Sequence, residues 1–235
     1  MKKQRPVPLF QHHMKRLPTV LGWCYVPVHM VALPLLLAMY VEYAVPAPDE
    51  MLVNGIFYGA GVLFVTICMG PFLRQQYDVM LDNKLRSLLA FSSAFVVEYA
   101  LSLLAALGLL AMENTLVNPN NEAVMALSEM NYGAVKGLAI FIAPIVEEVL
   151  FRGVVFGSLR SKNRRLAYVV SIALFALYHV WQYALTDPTL LLYAIQYIPA
   201  AFALAWAYEH SNSIWIPIFF HMLSNGVSFA VLSML

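Results

Sequence analysis

The sequence predicts an all-α, polytopic membrane protein with about seven transmembrane helices. Three observations lead to this fold class: an apolar composition, repeated apolar stretches of spanning length, and loops that alternate in positive charge. Of the 235 residues, 61% are hydrophobic and only 11% are charged, whereas a soluble domain carries about 25% charged residues. The mean hydropathy is +0.71. We therefore expect membrane lipid, rather than water, to surround most of the chain.

Seven apolar stretches are long enough to cross a hydrocarbon layer, which takes about 20 helical residues. They lie near residues 19–45, 52–73, 87–112, 133–158, 166–185, 189–208 and 213–234. The first stretch is too long for the apolar part of a signal peptide, so we interpret it as a retained first span. The longest polar stretch, 113–132, separates spans three and four.

Lys and Arg are concentrated in three segments that alternate with loops lacking both residue types. These segments contain Lys2, Lys3, Arg5, Lys15 and Arg16 before span one; Arg74, Lys84 and Arg86 between spans two and three; and Arg160, Lys162, Arg164 and Arg165 between spans four and five. The intervening loops contain neither residue type. Because positive residues stay on the cytoplasmic side during insertion, we expect a cytosolic N-terminus and an external C-terminus. The expected location is the plasma membrane of a prokaryote, with 113–132 as an extracytoplasmic loop.

Charge and cysteine content argue against two further classes of protein. The formal net charge is +1, which provides no field for gripping nucleic acid. Cys24 and Cys68 lie far apart and have no metal-binding spacing. We expect free thiols and no nucleic-acid partner.

Ionisable side chains at membrane depth are costly and indicate functional sites. Span four carries Glu147 near its centre, span five carries His179 and span seven carries His221. Counted from the charged residue at the cytosolic end of each span, all three lie about 18–21 Å into the membrane. A carboxylate and two imidazoles from three helices are therefore predicted to meet in one layer.

Spacing within each helix adds a second polar or aromatic residue to the same face. The i,i+4 pairs are Glu148 with Arg152, Phe175 with His179, and His221 with Asn225. The first pair has the spacing of a structural ion pair that cancels two charges within the membrane. We expect Phe175 to support the site by packing.

The sequences EEVLFRG, FALYH and HMLSN resemble the EExxxR, FxxxH and HxxxN motifs of the CPBP family, which comprises CAAX proteases and bacteriocin-processing enzymes and is also called the Abi family. The resemblance covers roughly residues 140–230, and it is to the type II CAAX prenyl endopeptidase in particular. It implies a metal-independent intramembrane endopeptidase of the glutamate type. Its substrates would be prenylated tails, leader peptides, or bacteriocin and signalling peptides that enter from the bilayer.

The resemblance also implies a role for each matching residue. Glu147 would be the general base that polarises a water molecule together with His179. His221 and Asn225 would stabilise the oxyanion. On this basis the chain divides into a cytosolic basic arm at 1–18, accessory helices at 19–112, the loop at 113–132 and a catalytic core at 133–235.

Glu98 lies in the middle of span three and belongs to none of the three motifs. Three interpretations stay open for it: it lines the cavity, it pairs with Arg152, or it is protonated. Two other functions also stay open for the whole chain. One is a zinc protease with the metal on Glu147, His179 and His221, although no HExxH motif is present. The other is a peptide-immunity or proton-coupled transport protein without catalysis.

Overall fold

A computed structural model describes residues 10–44, 46, 49–112 and 118–232. All regular structure in these residues is helical, which confirms the all-α class. Nine helices occur in them: α1 (Arg16–Tyr43), α2 (Glu50–Asp82), α3 (Lys84–Ala111), α4 (Pro119–Met130), α5 (132–160), α6 (Arg164–Tyr178), α7 (Trp181–Ala184), α8 (Pro188–Ser211) and α9 (Trp215–Leu232). The first ten residues of α8, Pro188–Tyr197, are a 3₁₀ helix.

The helices coincide with the seven predicted spans, with α6 and α7 together occupying the fifth. Among the described residues, α1, α2, α3 and α8 are long and apolar enough to cross a membrane by length and composition, and α9 contains a shorter apolar helix. Charged residues interrupt the apolar run of α5, and α6 is shorter than a full span. The chain is an integral membrane protein, as the composition predicts.

Parts of the predicted domain division fall outside the described residues. These parts are 1–9, with Lys2, Lys3 and Arg5, then 45 and 47–48, the loop segment 113–117 and the last residues 233–235. The described part of the predicted loop contains α4. The division into arm, accessory helices, loop and core stays a prediction.

Helix α5 departs twice from regular α-helical hydrogen bonding. Its segments Leu138–Ile142 and Val149–Phe156 are π-helical, and the regular turns of Ala143–Glu148 separate them. Pro144 lacks an N–H group and cannot continue a regular bonding pattern. Short π-helical segments occur frequently at functional sites. In α5 they flank Glu147 and Glu148.

The segment Val149–Phe156 forms the centre of the packed core, since all eight of its residues are buried. Helices α1, α6 and α8 pack around it. A Cβ atom on Gly22 of α1 would lie 2.3 Å from a methyl group of Val154. Only glycine therefore allows α1 to approach α5 this closely.

The ends of α5, α6 and α8 are joined by one buried carboxylate. Glu209 accepts hydrogen bonds from Arg160, Arg164 and Tyr168, the last at 2.7 Å. This cluster holds three helix ends at one level. From that level, Glu147 and His179 lie similar numbers of residues into α5 and α6, as the depth count assumes.

Candidate active site

A cavity of about 590 Å³ lies between the helices. Residues of all nine helices line it, including six of the residues singled out from the sequence: Glu98, Glu147, Phe175, His179, His221 and Asn225. Glu148 and Arg152 do not line it and lie buried behind its wall. The structure therefore brings together residues that are up to 127 positions apart (225 − 98 = 127).

Glu147 is buried in α5, with 3% of its surface exposed. Its Oε2 atom lies 3.9 Å from Nε2 of His179 and 4.0 Å from Nε2 of His221. These distances are too long for direct hydrogen bonds. Two imidazoles from different helices thus face one carboxylate oxygen without bonding to it.

His179 follows directly after the end of α6, and that position fixes its ring. The last turn is a 3₁₀-type turn, because the N–H of His179 bonds to the carbonyl of Ala176, three residues back, instead of that of Phe175, four residues back. The carbonyl of Phe175 is one of those left unpaired at a helix end, and Nδ1 of His179 lies 2.8 Å from it. Because a carbonyl can only accept, Nδ1 carries a proton. In the neutral ring this leaves Nε2 unprotonated, on the side of the ring that faces Glu147.

His221 is held by the second glutamate of the pair. Its Nδ1 atom donates to Oε1 of Glu148 at 2.8 Å, and the same oxygen accepts from Nη1 of Arg152 at 3.0 Å. Arg152 is completely buried and also donates to the carbonyl of Ala201. The predicted ion pair is therefore present, and it orients His221 as well, a contact that the sequence analysis missed.

Asn225 is bonded to an irregular part of α5. Its Nδ2 atom donates to the carbonyl of Ala139 at 2.8 Å. In the π-helical pattern the partner of that carbonyl would be the N–H of residue 144, which is a proline and has none. Asn225 therefore satisfies this carbonyl and keeps a second N–H on the same amide nitrogen.

Phe175 packs within the site and faces several of its charged or polar groups. The guanidinium of Arg152 lies 4.1 Å from the ring centroid, and the rings of His179 and His221 lie 4.6 and 5.7 Å away. These contacts agree with the packing role expected from the sequence.

Glu98 lines the cavity, which is one of its three open interpretations. Its Oε1 atom accepts a hydrogen bond from Ser224 at 2.6 Å. Nη1 of Arg152 bonds to Glu148 and Nη2 bonds to the carbonyl of Ala201, whereas Nε has no hydrogen-bond partner among the described residues, Glu98 included. The structure therefore does not pair Glu98 with Arg152.

The sequence analysis missed several aromatic residues around the site. Tyr197 stacks on the ring of His179 with centroids 4.3 Å apart, and Tyr58 of α2 hydrogen bonds to Tyr178. Tyr178 also contacts the buried His29 of α1. Adjacency to His179 was a usable signal for Tyr178, but nothing local in the sequence identifies Tyr58 or Tyr197.

In the described part of the chain, no three His, Cys, Asp or Glu side chains are arranged to hold a metal ion. The described thiols, Cys24 and Cys68, are both free. The zinc alternative names the same Glu147, His179 and His221, so measuring the metal content of the protein is the way to decide it.

Comparison with known proteins identifies the region that carries this site. Residues 132–227 match the family model described as "Type II CAAX prenyl endopeptidase Rce1-like". We call residues 132–227 the Rce1-like segment, after the family model that they match. The resemblance found in the three motifs is thereby confirmed, and this segment contains Glu147, His179, His221 and Asn225.

Two curated bacterial proteins resemble the chain over part of its length. One is the "Putative membrane peptidase YdiL" of Bacillus subtilis (strain 168), 33% identical over 85 residues, which are 36% of this chain and 31% of the relative. The other is the "UPF0177 protein YxdF" of Lactococcus lactis subsp. lactis (strain IL1403), 33% identical over 75 residues, which are 31% of this chain and 35% of the relative. The matches thus span about a third of each relative. No solved structure matches the chain.

Proposed function

We propose that the protein is an intramembrane endopeptidase that hydrolyses a peptide bond by means of Glu147. The observation that carries this proposal is the convergence of two imidazole Nε2 atoms on a single oxygen of Glu147. A water molecule at hydrogen-bond distance from Oε2 of Glu147 and Nε2 of His179 fits their 3.9 Å separation. The Rce1-like segment and the name of the Bacillus relative support a peptidase.

In the proposed reaction, Glu147 accepts a proton from that water molecule while the water oxygen attacks the carbonyl carbon of the scissile bond. His179 accepts the second O–H through Nε2 and so orients the water. The carbonyl oxygen becomes an oxyanion. Glu147 then returns its proton to the amide nitrogen, and the C–N bond breaks to give a carboxyl group and an amine.

His221 and Asn225 are the proposed donors to the oxyanion. The Nδ1 proton of His221 is engaged by Glu148, so donation through Nε2 requires the imidazolium form. The negative charge of Glu148 favours that form, and Arg152 holds the carboxylate in place. Asn225 contributes the N–H that does not bond to Ala139. Preorganised donors of this kind each contribute on the order of 10²–10³ in rate.

The proposed substrate is a peptide or protein segment that enters the cavity from the bilayer. Prenylated tails, leader peptides, and bacteriocin or signalling peptides are the candidate classes. The proposed location is a prokaryotic plasma membrane with the N-terminus in the cytosol. Phe175, Glu148 and Arg152 support the site without touching the reacting atoms.

Comparative proteomics of membrane fractions tests this activity without knowledge of the substrate. Cells that contain the wild type are compared with cells that contain Glu147→Gln, a nearly isosteric change that removes the base. We expect at least one peptide to persist uncut in the variant. Glu122→Gln, an exposed carboxylate in α4, is the matched control and should behave like the wild type. Identical peptide profiles in all three strains would contradict the proposal.

Accessibility labelling tests the proposed orientation. After Cys24 and Cys68 are replaced, single cysteines are placed at Ser161, between α5 and α6, and at Glu129, in α4. Both positions are exposed. A membrane-impermeant thiol reagent added outside should label the second and spare the first, and the opposite pattern would invert the topology.

A further inference from the structure

Glu98 is a buried carboxylate in the cavity for which the proposed hydrolysis has no use. It lies on α3, outside the Rce1-like segment, and only 7% of its surface is exposed. The hydroxyl group of Ser224 donates a hydrogen bond to Oε1 of Glu98 at 2.6 Å. Oε2 of Glu98 is buried and has no hydrogen-bond partner among the described residues. One oxygen is thus fixed and the other is left available within the cavity.

No cation bonds to Glu98 on the described part of the cavity wall. None of the described residues that line the cavity is Lys or Arg, and His221, for which the proposed reaction requires a positive charge, bonds to Glu148 instead. An uncompensated carboxylate at membrane depth costs several kcal/mol unless a cation pairs with it. A ligand with a positive charge would supply that partner.

The cavity wall near Glu98 is polar, whereas the wall formed by α1 is apolar. Ser102, Ser224 and Ser228 line the cavity together with Glu98, whereas α1 contributes only apolar residues. Ser224 is three residues beyond His221 in α9, a rise of about 4.5 Å. An extended peptide advances about 3.3 Å per residue. A peptide whose scissile carbonyl lies at His221 would therefore bring a side chain one or two residues away to Glu98.

We propose that Glu98 binds a basic side chain of the substrate, a Lys or Arg within two residues of the scissile bond. This inference rests on the proposed peptidase function and names the substrate class for it. Ser224 orients the carboxylate, and the buried setting makes the ion pair selective. Losing one partner of a desolvated charge pair costs enough to lower affinity about 30-fold or more.

A positional peptide library tests the inference with the purified full chain in liposomes. Quenched fluorescent peptides carry Lys, Arg, Gln or norleucine at each position in turn. For the wild type we expect one position at which Lys or Arg raises kcat/KM about 30-fold over norleucine. Glu98→Gln should bring this ratio close to 1. Glu122→Gln removes a carboxylate that does not line the cavity and should keep the wild-type ratio.

A wild type that cleaves the library through Glu147 but shows no preference for a basic residue overturns the inference, and so does a Glu98→Gln variant that keeps the preference. Failure of the peptidase proposal looks different: no peptide is cut, or cleavage survives Glu147→Gln.

A second measurement avoids dependence on the folding of Glu98→Gln or on turnover. A Lys-containing peptide is cross-linked by carbodiimide to the Glu147→Gln protein, and the linked residue is located by mass spectrometry. A link at Glu98 supports the inference. Links confined to other carboxylates, or no link, contradict it.

Discussion

Two helical segments, one that directly follows Glu147 and Glu148 and one that lines the cavity, differ sharply in burial. Every residue of Val149–Phe156 in α5 is buried, whereas no residue of Leu33–Tyr43 in α1 is buried. The α1 segment nevertheless contributes Pro34, Leu37 and Val41 to the cavity wall, at spacings that put them on one helical face. Glu147 thus lies two residues before a completely buried segment, whereas the α1 segment that lines the cavity has no buried residue.

The two segments also lie on different sides of the boundary of the family match. The Rce1-like segment begins at residue 132, so it contains Val149–Phe156 but none of α1, α2 or α3. Those three helices nevertheless supply Glu98, Tyr58 and the apolar wall of the cavity. The proposed chemistry therefore lies in the matched segment, and the features that would select a substrate lie largely outside it.

The largest effect is expected for Arg152→Ala in the completely buried segment of α5. The variant removes the arginine partner of Glu148 in a site with no exposed surface and leaves this carboxylate only the bond from His221. Breaking a buried ion pair costs about 3–5 kcal/mol. Denaturant unfolding in detergent micelles measures the free energy of unfolding. Arg165→Ala, at an exposed position of α6, is the control and should change it little. An Arg152→Ala protein that is fully stable but inactive would instead place Arg152 in the chemistry.

Truncating one side chain in each of the two segments compares their packing directly. Phe151→Ala removes a fully buried ring and should lower the free energy of unfolding by about 3–5 kcal/mol. Leu37→Ala enlarges an existing cavity and buries no polar group, so it should cost less than about 1 kcal/mol. Equal losses from the two variants would show that the α1 segment is packed as firmly as α5.

A smaller effect on stability is expected at the contact between α2 and the turn of α5 that carries Glu147. A Cβ atom at Gly61 would lie 2.8 Å from a methyl group of Val146, the residue before Glu147. Gly61→Ala should therefore cost about 1–3 kcal/mol through overpacking and reduce turnover by displacing Glu147. At Gly59 on the same helix, nothing lies within 4 Å of the added atom, so Gly59→Ala should leave both stability and turnover intact. Equal stability and equal turnover of the two variants would contradict a close contact between Gly61 and Val146.

The smallest effect concerns the arm that covers the end of α5. His12 packs against Gly157, and burial together with the neighbouring His13 lowers its pKa to about 4. A lowered pKa means that the docked arm binds fewer protons than the released arm, so docking weakens as the pH falls from about 6.5 towards 4. Hydrogen exchange of residues 10–14, corrected for intrinsic rates, should accelerate between pH 7 and pH 5. Burial also lowers the pKa of His13, so His12→Gln should reduce this pH dependence without removing it, and an unchanged dependence would assign it to other groups.

The sequence predicted the helices and the meeting of Glu147, His179 and His221, because apolar length and residue counts determine depth in a membrane. It could not predict that Glu148 bonds to His221, since residue counts give the depth of a side chain but not which neighbouring helix it faces. The π-helical segments around Pro144 were also missed, because proline indicates an interruption but not its form. Glu98 was recognised as unusual, yet only the fold reveals Ser224 beside it.

The central claim, hydrolysis by Glu147 without a metal, is tested most directly on purified protein. Wild type and Glu147→Gln are treated with chelator, checked for zinc by elemental analysis, and assayed on the same peptide library in liposomes. The account predicts that zinc-free wild type cleaves at its full rate, and that Glu147→Gln remains folded but is inactive. Zinc in stoichiometric amount that is lost in parallel with activity, or full cleavage by Glu147→Gln, would contradict it.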